Sequence, residues 1–300
     1  MIGPIRFRIR SWVTGLLLDW IRIQITSPLG ELNLPDFLMK TGSKRSGVLE
    51  HSGHDYEKLL ARWESLIKRI GWKCSLLSEE SALPVLVIQN EAAAEARGGG
   101  CYLSAGVHGD ECAPVWGLLE WAEAHLANMK SSPVVIFPCL NPYGLIGNTR
   151  RDGQGIDLNR SFQDVGVPLI ASWQEFLEGR SFDVGINLHE DYDAGGVYLY
   201  ELTRSESRGE ACLAACEGII PRETADVVDG SDFENGLLKR ETSEIEMRRL
   251  VNEELDGWPE GVYLYLNHVK DSFTFETPSE ANLEKRIATH RCFLEAIIGA

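Results

Sequence analysis

The chain has 300 residues, 44% of them hydrophobic, enough for one large core or two modest ones. No charge-poor apolar run is long enough to span a bilayer, which argues against an integral membrane protein. The 45 acidic side chains outnumber the 29 basic ones for a formal net charge of -16, which opposes attraction to nucleic acid and to anionic membrane surfaces, so neither is an expected partner.

The first forty residues differ from the rest. Arg6, Arg8 and Arg10 precede a mixed apolar stretch that Asp19 and Arg22 interrupt, and no small-residue cleavage site follows, so a secretory signal fits poorly. Residues 1–53 read as an N-terminal extension, disordered or loosely attached, with Met39 as an alternative start, and residues 54–300 as the folded domain. From Asp55 to Ile70, Leu59, Leu60, Trp63, Leu66, Ile67 and Ile70 recur at helical spacing. Strand-like runs follow at Ser75 to Leu77 and Val85 to Gln89, then a turn at Gly98-Gly99-Gly100 and a strand from Tyr102 to Val107. Helix and strand then alternate: Val115 to Asn128, Val134 to Pro138, Leu169 to Leu177, and Asp183 to Leu188. Further strands are predicted at Val197 to Leu202, Val262 to Val269 and Ser272 to Glu276, with a closing helix from about Glu280 to Ile298. This alternation indicates an α/β fold with helices on both faces of a mixed sheet, and in such sheets ligand sites gather at the carboxyl ends of strands. The seven cysteines, odd in number and mostly within apolar runs, suit a reducing compartment such as the cytoplasm. Cys212 and Cys216, four apart on a predicted helix, read as small core residues.

Chemistry concentrates at a few points. His108-Gly109-Asp110-Glu111 lies between a strand and a helix-like segment opened by Pro114. An imidazole and a carboxylate three positions apart converge on one cation where the chain turns sharply, and zinc accepts that mixture. The same spacing also arises as a simple hydrogen-bonded pair, so further ligands have to come from elsewhere. His189 ends the run Asp183 to His189 and would share the rim with the first pair. Between them lie Asn141-Pro142-Tyr143-Gly144, then Arg150, then Asp157-Leu158-Asn159-Arg160-Ser161-Phe162, in which Arg160 offers a planar fork suited to a carboxylate. Glu276, at a strand terminus before Pro278, is a candidate general base. Glu190, Asp191 and Asp193 follow His189 and would either line the pocket, favouring basic substrate termini, or orient the histidine. Trp116, Trp121, Tyr198 and Tyr200 fall at core spacing.

In this order, His108-x-x-Glu111, Asn141-Pro142-x-Gly144, Asp157-Leu158-Asn159-Arg160-x-Phe162, His189 and Glu276 resemble the zinc carboxypeptidases of the M14 family, from about Asp55 to the end of the chain. The resemblance implies a three-layer α/β/α fold with an eight-stranded mixed sheet, and one zinc ion held by His108, Glu111 and His189. It further implies that Asn159 and Arg160 grip a substrate's terminal carboxylate, that Arg150 polarises the scissile carbonyl, and that Glu276 activates water. Peptides would be the substrates. The succinylglutamate desuccinylase/aspartoacylase branch, acting on small N-acyl amino acids, is similar in the same features, and a non-catalytic module that holds peptide carboxyl termini is a third reading. A substrate-contacting tyrosine is usual before the base; Tyr263 and Tyr265 sit closer to Glu276 than that pattern, and the role stays open.

Overall fold

The structure, a computed structural model, describes residues 52–228, 230–240, 243–253 and 255–299, so nearly all of the expected extension lies outside the described residues. In chain order, helix α1 (Tyr56–Ile70) leads to β1 (Lys73–Glu80), β2 (Leu83–Gln89), β3 (Cys101–Ala105), α2 (Cys112–His125), β4 (Val134–Phe137), α3 (Pro142–Gly147) and α4 (Pro168–Leu177). Then come β5 (Phe182–Asp191), β6 (Tyr198–Leu202), α5 (Gly209–Cys216), β7 (Leu237–Arg240), α6 (Glu244–Glu253), α7 (Glu260–Asn267), β8 (Val269–Pro278) and α8 (Leu283–Ile298).

Helix α1 forms as its periodicity predicts. Asp55 caps its first turn by accepting from Lys58 N at 2.9 Å, and Gly71, with φ of 74°, closes it in the left-handed conformation. Its stripe of Leu59, Leu60, Trp63 and Leu66 is fully buried. Burying each such side chain contributes about 1.5–3 kcal/mol.

Eight strands make one mixed sheet in the order β1-β2-β4-β3-β5-β8-β6-β7. The middle four, β4, β3, β5 and β8, run parallel, while β2 joins β4 and β1 joins β2 antiparallel, β6 pairs antiparallel with β8, and β7 is parallel to β6. Strand β4 shows why the centre reads as continuous apolar sequence: Val134 and Ile136 pack into the core with α1, α2, α5 and α8, whereas Val135 and Phe137 pack into the second core with α4, α6 and α7. This is the three-layer α/β/α architecture with a mixed eight-stranded sheet.

One expected strand is a helix. Residues 262–269 alternate Val, Tyr, Leu, Tyr and Leu, which matches a strand on propensity, but Glu260–Asn267 form α7. Gly261, Leu264 and Tyr265 fall on one helical stripe, and burying that stripe against the sheet overrides the local preference. Strand β7, helix α6 and a small ribbon pairing Val227–Val228 with Ser231–Asp232 were not predicted. All seven cysteines are free, with Cys212 and Cys216 buried as expected, and no described helix is long and apolar enough to cross a membrane.

Candidate metal centre and active site

Because β3, β5 and β8 are parallel, their carboxyl ends open on one rim, and the chain leaves each there carrying a polar side chain. Past β3, the turn through Gly106 (φ of 64°) delivers His108, and Glu111 stands at the N-terminus of α2. His189 lies near the end of β5, and Glu276 is its register partner on β8. His108, Glu111 and His189 are 3%, 3% and 2% exposed, and their ligand atoms all lie within 4.8 Å of one another. Among the described residues this is the one cluster of three such side chains so closely gathered.

The two imidazoles turn the same atom inward. His108 Nδ1 contacts Glu111 Oε1, and His189 Nδ1 lies 3.0 Å from Glu111 Oε2, which also accepts from Glu190 N at 3.1 Å. Burial disfavours ionised Glu111, but the charges of His108 and His189 overcome it and hold the carboxyl far below its usual range. His108 is pushed up to about 9: burial works against the charged ring, and the charge of Glu111 and a hydrogen bond donated to Asp157 outweigh it. Protons and a cation would compete for the same lone pairs. Two buried imidazole nitrogens and one carboxylate are the mixed donor set that a divalent metal ion takes, so the residues fit such an ion.

The turn that presents this cluster depends on two glycines. A Cβ on Gly109 would lie 1.9 Å from the carbonyl carbon of Gly144, and one on Gly144 would lie 2.5 Å from Asn141 Nδ2. Asn141 caps α3 by accepting from Gly144 N at 2.7 Å, and its amide donates to Arg150 O at 3.1 Å, which anchors the loop bearing Arg150. The Asn-Pro-x-Gly motif is thus a scaffold for the metal turn and for Arg150. Gly109→Ala forces backbone apart from backbone, and we expect it to lower unfolding free energy by about 1–3 kcal/mol in urea titrations. An unchanged midpoint would show that the turn yields without strain.

Arg150 donates through Nε to Asp157 Oδ2 at 2.9 Å and brings Nη1 within 3.3 Å of His108 Nδ1 and 4.0 Å of Glu111 Oε1. Asn159 Oδ1 accepts from Glu260 N at 2.9 Å. Arg160 is exposed and donates to Asn159 O at 3.0 Å; among the described residues it makes no ion pair. His108, Glu111, His189, Arg150, Asn159, Arg160 and Glu276 all line one cavity of about 660 Å³.

Two supporting groups escaped the sequence reading. Asp157 heads a recognised motif, yet only the structure shows it bracing both Arg150 and His108, whose Nε2 lies 3.4 Å from Asp157 Oδ1. Glu80, on the edge hairpin, accepts from Tyr143 N at 3.0 Å and Gly153 N at 2.9 Å and so ties down the loops on either side of Arg150; no local pattern marks it. The acidic residues after His189 resolve differently from one another. Glu190 is buried against Arg286 at 2.5 Å and accepts from Ala113 N at the start of α2, while Asp191 accepts from Tyr198 Oη at 2.9 Å. Burial raises the Glu190 carboxyl to about 7 despite Arg286. Tyr198 and Tyr200, read as core, also line the cavity, as does the half-exposed Tyr192. Tyr263 packs on Trp173 and Trp258, and Tyr265 is buried; neither lines it.

Residues 97–167 match the family model for the succinylglutamate desuccinylase/aspartoacylase catalytic domain. No curated protein sequence matches the chain. Among solved structures, a candidate metallopeptidase from Shewanella amazonensis superposes with a TM-score of 0.71 at 18% identity, covering 85% of this chain and 96% of that one. A metallo-carboxypeptidase from Burkholderia cenocepacia gives 0.58 at 17% identity, over 81% and 68% of the two chains. Bovine thrombin-activatable fibrinolysis inhibitor, in complex with tick carboxypeptidase inhibitor, gives 0.53 at 14% identity, over 83% and 96%. The fold is therefore shared with these metallopeptidase and carboxypeptidase structures. The resemblance to zinc carboxypeptidases, with the desuccinylase branch as a near relative, is supported from both sides.

Proposed function

We propose that residues 54–300 form the catalytic domain of a zinc-dependent carboxypeptidase that hydrolyses the last peptide bond of its substrate. The observation that carries this reading is that the three metal-ligand candidates, a base, and two carboxylate-binding side chains all line one cavity. His108, Glu111 and His189 would hold the zinc, which when bound supplies Lewis acidity and lowers the pKa of water toward neutrality. Glu276, beside His189 in the register, takes the proton of the attacking water and returns it to the leaving amine. Arg150 offsets the negative charge that develops on the carbonyl oxygen, a contribution of a few kcal/mol in a dry site. Asn159, whose oxygen accepts from Glu260 N, lines the cavity and would donate through its amide to the free terminal carboxylate, with which Arg160 pairs. Attack is thereby limited to the bond next to that carboxylate.

The match over residues 97–167 favours a second reading, deacylation of N-acyl amino acids. Charge weighs against its succinylglutamate form, because that substrate carries three carboxylates. The cavity offers two arginines, Arg150 already paired with Asp157, among a larger number of acidic groups. The test is amino-acid release by zinc-loaded protein from a peptide, from its C-terminal amide, and from N-succinyl and N-acetyl amino acids. Release from the free-acid peptide, at least about tenfold weakened by amidation, is expected. Cleavage confined to the N-acyl amino acids would replace this reading with the second, and binding of free-acid peptides without any hydrolysis would favour the non-catalytic module.

A further inference from the structure

Helices α5 and α8 share one core on the same face of the sheet and run antiparallel: Arg208, just before α5, donates to Ile297 O at 3.2 Å near the end of α8. At the opposite end of the pair two thiols reach across in opposite directions. Cys216 Sγ lies 3.8 Å from Thr289 O, and Cys292 Sγ lies 3.3 Å from Ala215 O. A helical side chain leans toward the N-terminus of its own helix, so Cys292 covers the surface over Thr289, where the Cys216 thiol ends. The two sulfurs face each other. Burial raises the Cys216 thiol above its usual range, and the charge of Cys292 and a hydrogen bond with its thiol raise it further. Cys212, one turn earlier on α5, is pushed up to about 11 by burial, and Cys292 adds to this through its charge.

Access differs across the pair. Cys216 is fully buried, whereas Cys292 is half-buried and within reach of a small oxidant. Neither lines the cavity that holds the metal-ligand candidates, so what they do is separate from the proposed reaction. We infer that Cys216 and Cys292 form a modification site for hydrogen peroxide, at which the two thiols become a reversible disulfide that ties α5 to α8. Cys292 Sγ attacks one peroxide oxygen, the O–O bond breaks, and a sulfenic acid forms with release of water. Cys216 Sγ then attacks the Cys292 sulfur and displaces its hydroxyl, which leaves as water with the Cys216 proton. Two thiols lose two electrons, and one peroxide is reduced to two waters. Arg222, whose charge favours the Cys216 thiolate, assists the second step.

The experiment treats the full chain, freed of reductant, with equimolar hydrogen peroxide, alkylates the remaining thiols and reads the digest by mass spectrometry. A peptide pair joined through Cys216 and Cys292 and parted by dithiothreitol is expected, with the other five cysteines alkylated. Because the bridge closes a long loop, the oxidised protein should melt about 5–15 °C above the reduced one. Cys292→Ser should lose both the joined peptides and the shift, whereas Cys74→Ser, a change at the other half-buried cysteine, should keep both. A sulfenic or sulfinic acid that persists at Cys292 without a bridge overturns the inference, as does a bridge from Cys292 to Cys212 or a Cys292 that peroxide leaves unchanged.

Discussion

On the proposed carboxypeptidase reading, zinc-loaded Glu276→Gln protein should keep the metal content of the parent and lose peptide hydrolysis by about 100- to 10,000-fold in kcat. Glutamine preserves the volume of the side chain at the end of β8 and can still hydrogen-bond, but it cannot accept the proton of the attacking water. Because Glu276 is not one of the three clustered donors, metal content by mass spectrometry should stay at that of the parent. The two readouts separate a base from a ligand. Loss of zinc along with activity would move Glu276 into the metal set, and a kcat within tenfold of the parent would remove it from the reaction.

Arg286→Met should be the most destabilising single change near the centre. Arg286 and Glu190 are 12% and 0% exposed at 2.5 Å, and removing one partner of such a pair typically costs about 3–5 kcal/mol because the other is left buried without compensation. Glu190 also accepts from Ala113 N and lies 3.3 Å from Thr277 Oγ1, so the loss is felt at α2, β5 and β8 together, the elements that carry Glu111, His189 and Glu276. The Glu190 carboxyl already sits up at about 7, because burial outweighs the pull of Arg286; without the arginine it would take up a proton, which brings the expected loss toward the lower end of that range. Urea unfolding of the metal-free protein measures it. The double change Glu190→Gln with Arg286→Met, which puts a permanently neutral amide in place of the orphaned carboxyl, should recover part of the loss. A double variant no better than the single one would mean that the arginine acts through packing alone.

Much of the centre was legible before the structure because its parts are local motifs with local reasons. The glycine of His-Gly-Asp-Glu is required by a backbone contact with Gly144, and the asparagine of Asn-Pro-x-Gly caps the helix that supplies that contact, so the two motifs are halves of one turn assembly. Asp157-Leu158-Asn159-Arg160 is likewise a short helical turn capped by its own aspartate. What escaped was non-local. Glu80 supports the Arg150 loop from a hairpin some seventy positions earlier, and nothing around Glu79-Glu80 distinguishes it from a solvated pair. Arg286 meets Glu190 across 96 positions and sits in a predicted helix where an arginine ordinarily faces water. Residues 262–269 misled because alternation of aromatic and aliphatic side chains suits a strand, while burial of Gly261, Leu264 and Tyr265 on one stripe made them helical.

The sequence by itself determined the layered α/β architecture, the positions at which chain direction reverses beside a strand end, and which polar side chains to look for at those ends. Those depend on periodicity, on turn chemistry and on functional groups, all written in short windows. Only the tertiary structure decided that three parallel strands, β3, β5 and β8, bring His108, Glu111, His189 and Glu276 to one rim, and that Glu190 and Asp191 are committed to Arg286 and Tyr198. It also decided that residues of β6, β7, α6 and α7 line the same cavity as that rim. Strand order and helix cover are set by the burial of both sheet faces at once, a sum over contacts between residues far apart in the chain.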